Sequence, residues 1–436
     1  MIQKHVFVVL ALVILGVSSC GTSGNADPTV TPHTAVELTP RAPETTVTPI
    51  MKATPAATRT IILPSNDTPS ALIGPAPEKP YGRLPFSVGQ WKTNFHKTLV
   101  DYDLIVYGPR RDTVPPIYTS ESITIAAAEE QLFWLDANHP VISVNIEGQA
   151  KAYPLGIMIH HQVVNDSLNG VPIVISYSPL SNSATGFNRI IDDQELVFGT
   201  SSNLYYSNTL LWDHTTESWW PQLTGRAVVG DAAGLKLGVI PVQIIAWSDF
   251  KRAYKNGSVL PPSKANPELI DSYGNTPYLR YDTPNSQPEL FRGTIDNTLP
   301  PKERILTLAS GEDYIGIPLT RLKTSLVVHY EQAPHTIVAF YKKGTASALD
   351  KEFINHGKDV GTGAIYKSMI DGNVLRFTAD DKGYFVDDST SSTWDITGIA
   401  IHGELKGRTL QPMEFQESLW FSWSSFYPNT NLIDRD

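Results

Sequence analysis

Sulfur chemistry is nearly absent from this chain. Cys20 is its sole cysteine, so the folded part holds no disulfide, no thiolate metal site and no cysteine nucleophile. Positive charge is also short, since 34 Lys and Arg face 44 Asp and Glu for a net charge of −10. That acidic balance argues against a nucleic-acid partner. Aromatic residues are missing throughout 21–80. The apolar run Val6–Val17 is about half the roughly 20 residues a membrane-spanning helix needs. Also absent are a His-Glu-x-x-His pair, a phosphate loop, a dinucleotide glycine fingerprint and a Gly-x-Ser-x-Gly elbow, and with them the commonest signatures of zinc, nucleotide and serine-hydrolase chemistry. No cofactor is implied and no metal ligand set is assigned.

What is present begins with an export signal. Lys4 precedes the apolar run, and Ser18 and Ser19 lead into Cys20. Residues 1–19 read as a signal peptide. Its end resembles the lipobox of bacterial lipoproteins, with Val17 where leucine is commoner. The resemblance implies lipidation of Cys20 and a place on the extracytoplasmic face of the cell membrane, held by more than one acyl chain. Residues 21–80 contain 11 prolines and 12 threonines and bury too little apolar surface to offset the entropy of ordering. The lipidated N-terminus and its Thr/Pro-rich tether therefore span 20–80, with a reach between ~45 Å as a coil and ~180 Å when extended.

Beyond Tyr81 the texture changes to short β-rich runs between Gly, Pro, Asn and Asp. VISVNIEGQAKAYPL at 141–155 reads as two strands about a turn at Glu147-Gly148, and ELVFG, RAVVG and LKLGVI read as further strands. GIMIHHQVVNDSL is the strongest helix candidate, with WSDFKRAY a second. Internal repetition is visible. TGRAVVGDAAGLKL at 224–237 and TGIAIHGELKGRTL at 397–410 share Thr-Gly-x-Ala-x-x-Gly-x-x-x-Gly-x-x-Leu. Each follows a tryptophan, Trp219 or Trp394, and precedes Trp-Ser-x-Phe at 247–250 or 423–426. AYPLGIM is echoed by GIPLTRL and VPIVISYS by HTIVAFYK. The expected fold is a β-rich α+β architecture of two tandem, pseudo-symmetric repeats, each a bent sheet or small barrel with one or two helices. Its divisions are an adaptor over 81–140, repeat 1 over 141–260, a connector over 261–304 and repeat 2 over 305–436.

The chemistry-bearing residues are unequally shared. Repeat 1 carries His160, His161, Asn165 and Asp166, then Asp213, His214, Thr216, Glu217 and Ser218, whereas repeat 2 lacks the His-His and Asn-Asp pairs. On one helix, His161 and Asn165 would share a face. A histidine with carboxylates suits acid–base work, so His161, Asp166, Asp213 and Glu217 are the candidate catalytic groups. Each has a structural alternative: a satisfied core histidine, or turn chemistry for Asp213 and Glu217. Trp219 and Trp220 suit packing or a ligand-stacking wall. Ser178 becomes a nucleophile if His161 reaches it.

The ordered motifs NFHKTLV, GPRRDTVPPI, WLDANHPVISVNIEGQAKAYPL, HHQVVNDSLNGVPIVISYSPLSNSATGFNR, WDHTTESWWPQLTGRAVVG and FSWSSFYPNT resemble the prokaryotic domain-of-unknown-function family 3179 from about residue 91 to the C-terminus. That family implies no established activity. Its members tend toward Tyr-Cys-Pro-Leu-Cys where this chain has Tyr177, Ser178, Pro179, Leu180 and Ser181, and toward Glu where it has Gln162. A serine hydroxyl is a poor metal ligand and forms no disulfide, so Ser-x-x-Ser replaces whatever the thiols did. The balance favours a binding protein for a small polar ligand or glycan, contacted by Asn165, Tyr177, Ser178, Ser181, Thr216, Trp219 and Gln222. The alternatives are an extracytoplasmic hydrolase or transferase, and a structural envelope protein.

Overall fold

Runs of β-branched and aromatic residues separated by Gly, Asn and Asp make the described residues β-rich, with 39% of them in strand against 14% in helix, as their preference for a pleated surface dictates. The computed structural model describes residues 84–433 apart from 311–312 and 333–334. The signal peptide, Cys20 and the tether lie outside the described residues.

The segment before residue 140 contributes β1 (Ile105–Val106), β2 (Ile123–Thr124) and α1 (Ile125–Gln131). An N-terminal half follows, made of β3 (Pro140–Ile146), β4 (Gln149–Pro154), α2 (Leu155–His161), β5 (Val163–Leu168), β6 (Val171–Ser178), β7 (Ser183–Asn188), β8 (Ile190–Ile191), β9 (Gln194–Glu195), β10 (Phe198–Tyr205), β11 (Asn208–Asp213), β12 (Trp219–Pro221), β13 (Gly238–Ile240), β14 (Val242–Ala246), α3 (Trp247–Ala253) and β15 (Ser258–Val259). The C-terminal half runs through β16 (Arg304–Ser310), β17 (Asp313–Pro318), α4 (Leu319–Ser325), β18 (Val327–Gln332), β19 (His335–Lys342), β20 (Thr362–Lys367), β21 (Met369–Ile370), β22 (Asn373–Val374), β23 (Phe377–Ala379), β24 (Phe385–Asp387), β25 (Thr393–Trp394), β26 (Ala400–His402), β27 (Phe415–Leu419), α5 (Trp420–Phe426) and β28 (Thr430–Leu432).

The halves open alike: β3, β4, α2, β5 and β6 are 7, 6, 7, 6 and 8 residues long, and β16, β17, α4, β18 and β19 repeat those lengths. Both helices end on a left-handed residue, Gln162 at φ 61° and Leu326 at φ 63°. The order β14-β3-β4-β15 is matched by β27-β16-β17-β28, and in each the last strand joins in parallel. Even the buried acceptor at the helix start has a counterpart, because Gly156 N donates to His139 Nε2 at 3.1 Å and Thr320 N to Glu303 Oε1 at 3.0 Å. Among the described residues the larger sheets stay small and open, and none closes into a barrel.

The expected turn at Glu147-Gly148 joins β3 to β4, both residues having positive φ, the geometry a two-residue hairpin requires. WSDFKRAY forms α3. The long helix expected over GIMIHHQVVNDSL does not form: it stops at His161, because Gln162 turns left-handed and the β-branched Val163 and Val164 start β5. His161 and Asn165 therefore share no helical face. RAVVG makes only isolated bridges, through Arg226 and Val229, and of LKLGVI only Gly238–Ile240 is a strand.

One apolar core joins Ile142, Tyr153, Met158 and Tyr177 of the N-terminal half to Leu419 and Phe421 of the C-terminal half. Such side chains contribute about 1.5–3 kcal/mol each when fully buried. A second core in the C-terminal half gathers Phe340, Phe385 and Trp394. Polar ties cross the junction as well, with Leu419 N donating to Ser181 O at 2.8 Å and Lys342 paired with Asp249 at 2.7 Å. Among the described residues no helix is long and apolar enough to cross a membrane.

Candidate functional site

His161 and Asp166 hold a strap. The segment 113–124 bends past the outer edge of β5 and pairs with it at Ile117, where Ile117 N donates to Val163 O at 2.8 Å and Asn165 N to Ile117 O at 2.9 Å, and it ends as β2 against β15. His161, fully buried, faces Pro115 O through Nδ1 at 2.6 Å. A carbonyl only accepts, so Nδ1 carries the proton and Nε2 accepts from Tyr273 OH at 2.7 Å. Burial pulls its pKa down to about 4. Asp166 pairs with buried Lys151 at 2.8 Å and accepts from Tyr153 OH at 2.8 Å. The same ammonium donates to Ser120 Oγ and Glu121 O of the strap. Desolvation lowers the Lys151 pKa despite Asp166, and it raises that of Tyr153. Asn165 clasps β10 instead, exchanging two bonds with Phe198 at 2.8 Å.

Ser178 and Ser181 lie in a closed network with no exposed surface. Ser178 Oγ accepts from Thr209 N at 3.0 Å and lies 3.2 Å from Thr209 Oγ1, whose one proton goes to Gln162 Oε1 at 3.0 Å, so that Ser178 donates in the hydroxyl pair. Ser181 Oγ bonds Ser183 Oγ at 2.8 Å and accepts from Asn208 Nδ2 at 3.0 Å. Gln222 completes it, accepting from Ser183 Oγ and Asn208 Nδ2 and donating to Thr185 Oγ1, all at 2.8 Å. Tyr177, buried beside it, donates to Asn182 Oδ1 at 2.8 Å. Such a satisfied network fixes one packing of β6, β7, β11 and β12. His161 is bonded to Pro115 and Tyr273, not to Ser178.

Asp213 organises a hairpin. Its carboxylate accepts from Thr216 N at 2.6 Å, Thr216 Oγ1 at 2.8 Å, Ser218 N at 3.2 Å and Trp220 Nε1 at 2.9 Å. Asp387 makes the same set with Thr390, Ser392 and Trp394. The partner of Trp394 in this clasp is thus Trp220, not Trp219. Trp219 is wholly buried among Phe86, Trp91 and Phe95.

Glu217 alone of the four acid–base candidates joins a cluster that reaches solvent. Its Oε1 pairs with Arg111 at 3.1 Å and its Oε2 accepts from Lys92 N at 2.6 Å. The Arg111 guanidinium lies 4.4 Å from the Trp212 ring centre and 5.2 Å from that of Trp91. His214, exposed, stacks on Trp212 at 4.3 Å and meets Tyr118 OH through Nε2 at 3.2 Å. Tyr118, 41% exposed, donates to Asp112 Oδ2 at 2.7 Å, and Trp212 Nε1 donates to Asp112 Oδ1 at 3.1 Å. Partial desolvation lowers the His214 pKa against the opposing pull of Asp112, which leaves a mostly neutral imidazole at pH 7. Forked charged groups beside aromatic rings can hydrogen-bond and stack on one polar ligand.

Sequence reasoning missed Arg111, Asp112, Tyr118, Trp212, Lys151 and Tyr153. GPRRDTVPPIYT and WDHTTE carried the residue types, but their meeting depends on pairing across some hundred positions. Among the described residues no three His, Cys, Asp or Glu side chains gather where they could hold a metal ion. Neither a curated protein nor a solved structure matches the chain. Residues 111–430 match the family described as protein of unknown function DUF3179, which takes in the strap, the serine network and both aspartate clasps, and the chain belongs to that family.

Proposed function

We propose that this is a lipid-anchored, extracytoplasmic protein, built by tandem duplication, that binds a polar glycan through the surface cluster of its N-terminal half. The observation that carries the reading is the chain of contacts Glu217–Arg111–Trp212–His214–Tyr118–Asp112, in which donors, acceptors and rings from two separate segments meet at the surface. The exposed rings of Tyr118 and His214, beside the half-buried Arg111 and Asp112, suit a ligand rich in hydroxyls. The equal element lengths and paired clasps support the duplication. The export signal and Cys20 support the anchor.

An acid–base hydrolase or transferase is less well supported, because His161, Asp166 and Asp213 are each engaged with separate structural partners. Titration calorimetry of the full-length chain against soluble envelope polysaccharides tests the binding reading. Saturable binding that weakens at least about tenfold, or ~1.4 kcal/mol, in Tyr118→Ala and His214→Ala is expected. No binding at millimolar saccharide, or equal binding by both variants, would refute it.

A further inference from the structure

The Asp213 and Asp387 hairpins carry the same clasp and differ in what surrounds it. Counted from the clasp aspartate, Trp212, His214 and Glu217 stand where the other hairpin has Val386, Asp388 and Ser391. Glu217 and Ser391 even share a left-handed backbone, at φ 52° and 55°. Closing the hairpin therefore needs neither the indole, the imidazole nor the carboxylate that gather around Arg111.

Within that gathering the two signs of charge are layered. Asp112 is half-buried, and its carboxylate accepts from Thr200 N at 2.9 Å, Trp212 Nε1 at 3.1 Å and Tyr118 OH at 2.7 Å. Glu217 is buried and divides its oxygens between Lys92 N and Arg111. Both carboxylates are thus sunk and occupied. Arg111 keeps 32% of its side chain exposed. Its Nη1 is buried and lies 3.1 Å from Glu217 Oε1 without the alignment of a hydrogen bond. The guanidinium is otherwise steadied by the Trp212 and Trp91 rings, and among the described residues its remaining N–H groups meet no acceptor. Lys92 and Arg110, from the same two segments, are exposed. The charge turned toward solvent is positive on a chain whose net charge is −10.

We infer that the glycan taken by this cluster is an acidic one, a uronate whose carboxylate is received by the Arg111 fork while the sugar ring lies against Tyr118 and His214. A planar, singly charged carboxylate matches one guanidinium edge two bonds at a time, whereas a phosphate dianion would set a second negative charge near Glu217 and Asp112. The inference rests on the glycan reading of the same cluster and narrows it to one class.

The test is titration calorimetry of the full-length chain in detergent micelles with short oligomers of galacturonate, glucuronate and mannuronate, each beside its methyl ester. The ester keeps the ring and the hydroxyls and removes only the charge, and the protein is unaltered, so misfolding cannot mimic the result. In at least one pair the acid is expected to bind about tenfold more tightly than the ester, and the advantage should shrink as salt rises from about 50 mM to about 500 mM. Arg111→Gln should bring acid and ester to equal affinity. Acid and ester binding alike in every pair would overturn the uronate assignment and leave the glycan reading standing, while no binding by any acid or ester would remove both. A preference for the acid that persists in Arg111→Gln would also overturn the assignment.

Discussion

His139 and His161 are both buried, and both serve as acceptors through Nε2, from Gly156 N and Tyr273 OH. A protonated imidazole has no acceptor lone pair, so each bond requires the neutral ring. Burial holds their pKa values down to about 3 and about 4. The unfolded chain takes up protons below about 6.5 while the folded one does not. Their contribution is thus complete above pH 6.5 and is lost progressively on acidification toward pH 3. Urea unfolding at about pH 7.5 and about pH 4.5 should show a loss of several kcal/mol, and His161→Gln should reduce that dependence. An identical slope in the variant would contradict the assignment. At this scale the sequence singled out His161, Asp166 and Asp213 as candidate catalytic groups and Gln222 as a candidate ligand contact, and all four are buried among structural partners. Their partners Pro115, Lys151, Trp220 and Asn208 could not be read, since a hydrogen bond across a fold leaves no local pattern.

Among the elements, the strap is tied at one end to Lys151, which donates to Ser120 Oγ and Glu121 O. Removing one partner of a buried ion pair leaves the other uncompensated, which costs about 3–5 kcal/mol, whereas replacing both by apolar groups is often neutral. Lys151→Met is therefore expected to lower unfolding stability by about that amount, and Lys151→Met with Asp166→Leu to recover most of it. Denaturation curves of the two variants provide the check; a single variant as stable as the parent would mean that the pair does not secure the strap. The hairpin at Glu147-Gly148 and the helix α3 were legible because turn chemistry and 3.6-residue periodicity are local. The false extension of α2 through Leu168 arose because Val163 and Val164 suit an apolar helical face as well as a strand, and the left-handed Gln162 gives no sign of itself in its residue type.

For the whole molecule, the β-rich character was readable from short β-branched runs between turn residues, while the open sheets and the strap were not, because pairing partners far apart in the chain carry no periodic mark. The anchor makes a separate demand on the intact protein. Cys20→Ser should move the protein from the membrane pellet to the soluble fraction on cell fractionation, and retention in the pellet would count against lipidation. Leu419 and Phe421 complete the core around Met158 and Tyr177, and that arrangement constrains any attempt to divide the molecule. A fragment ending near residue 260 would present that greasy face to water and clump, so severing the chain there should give neither part a life of its own, and heating the intact body should melt it in a single step.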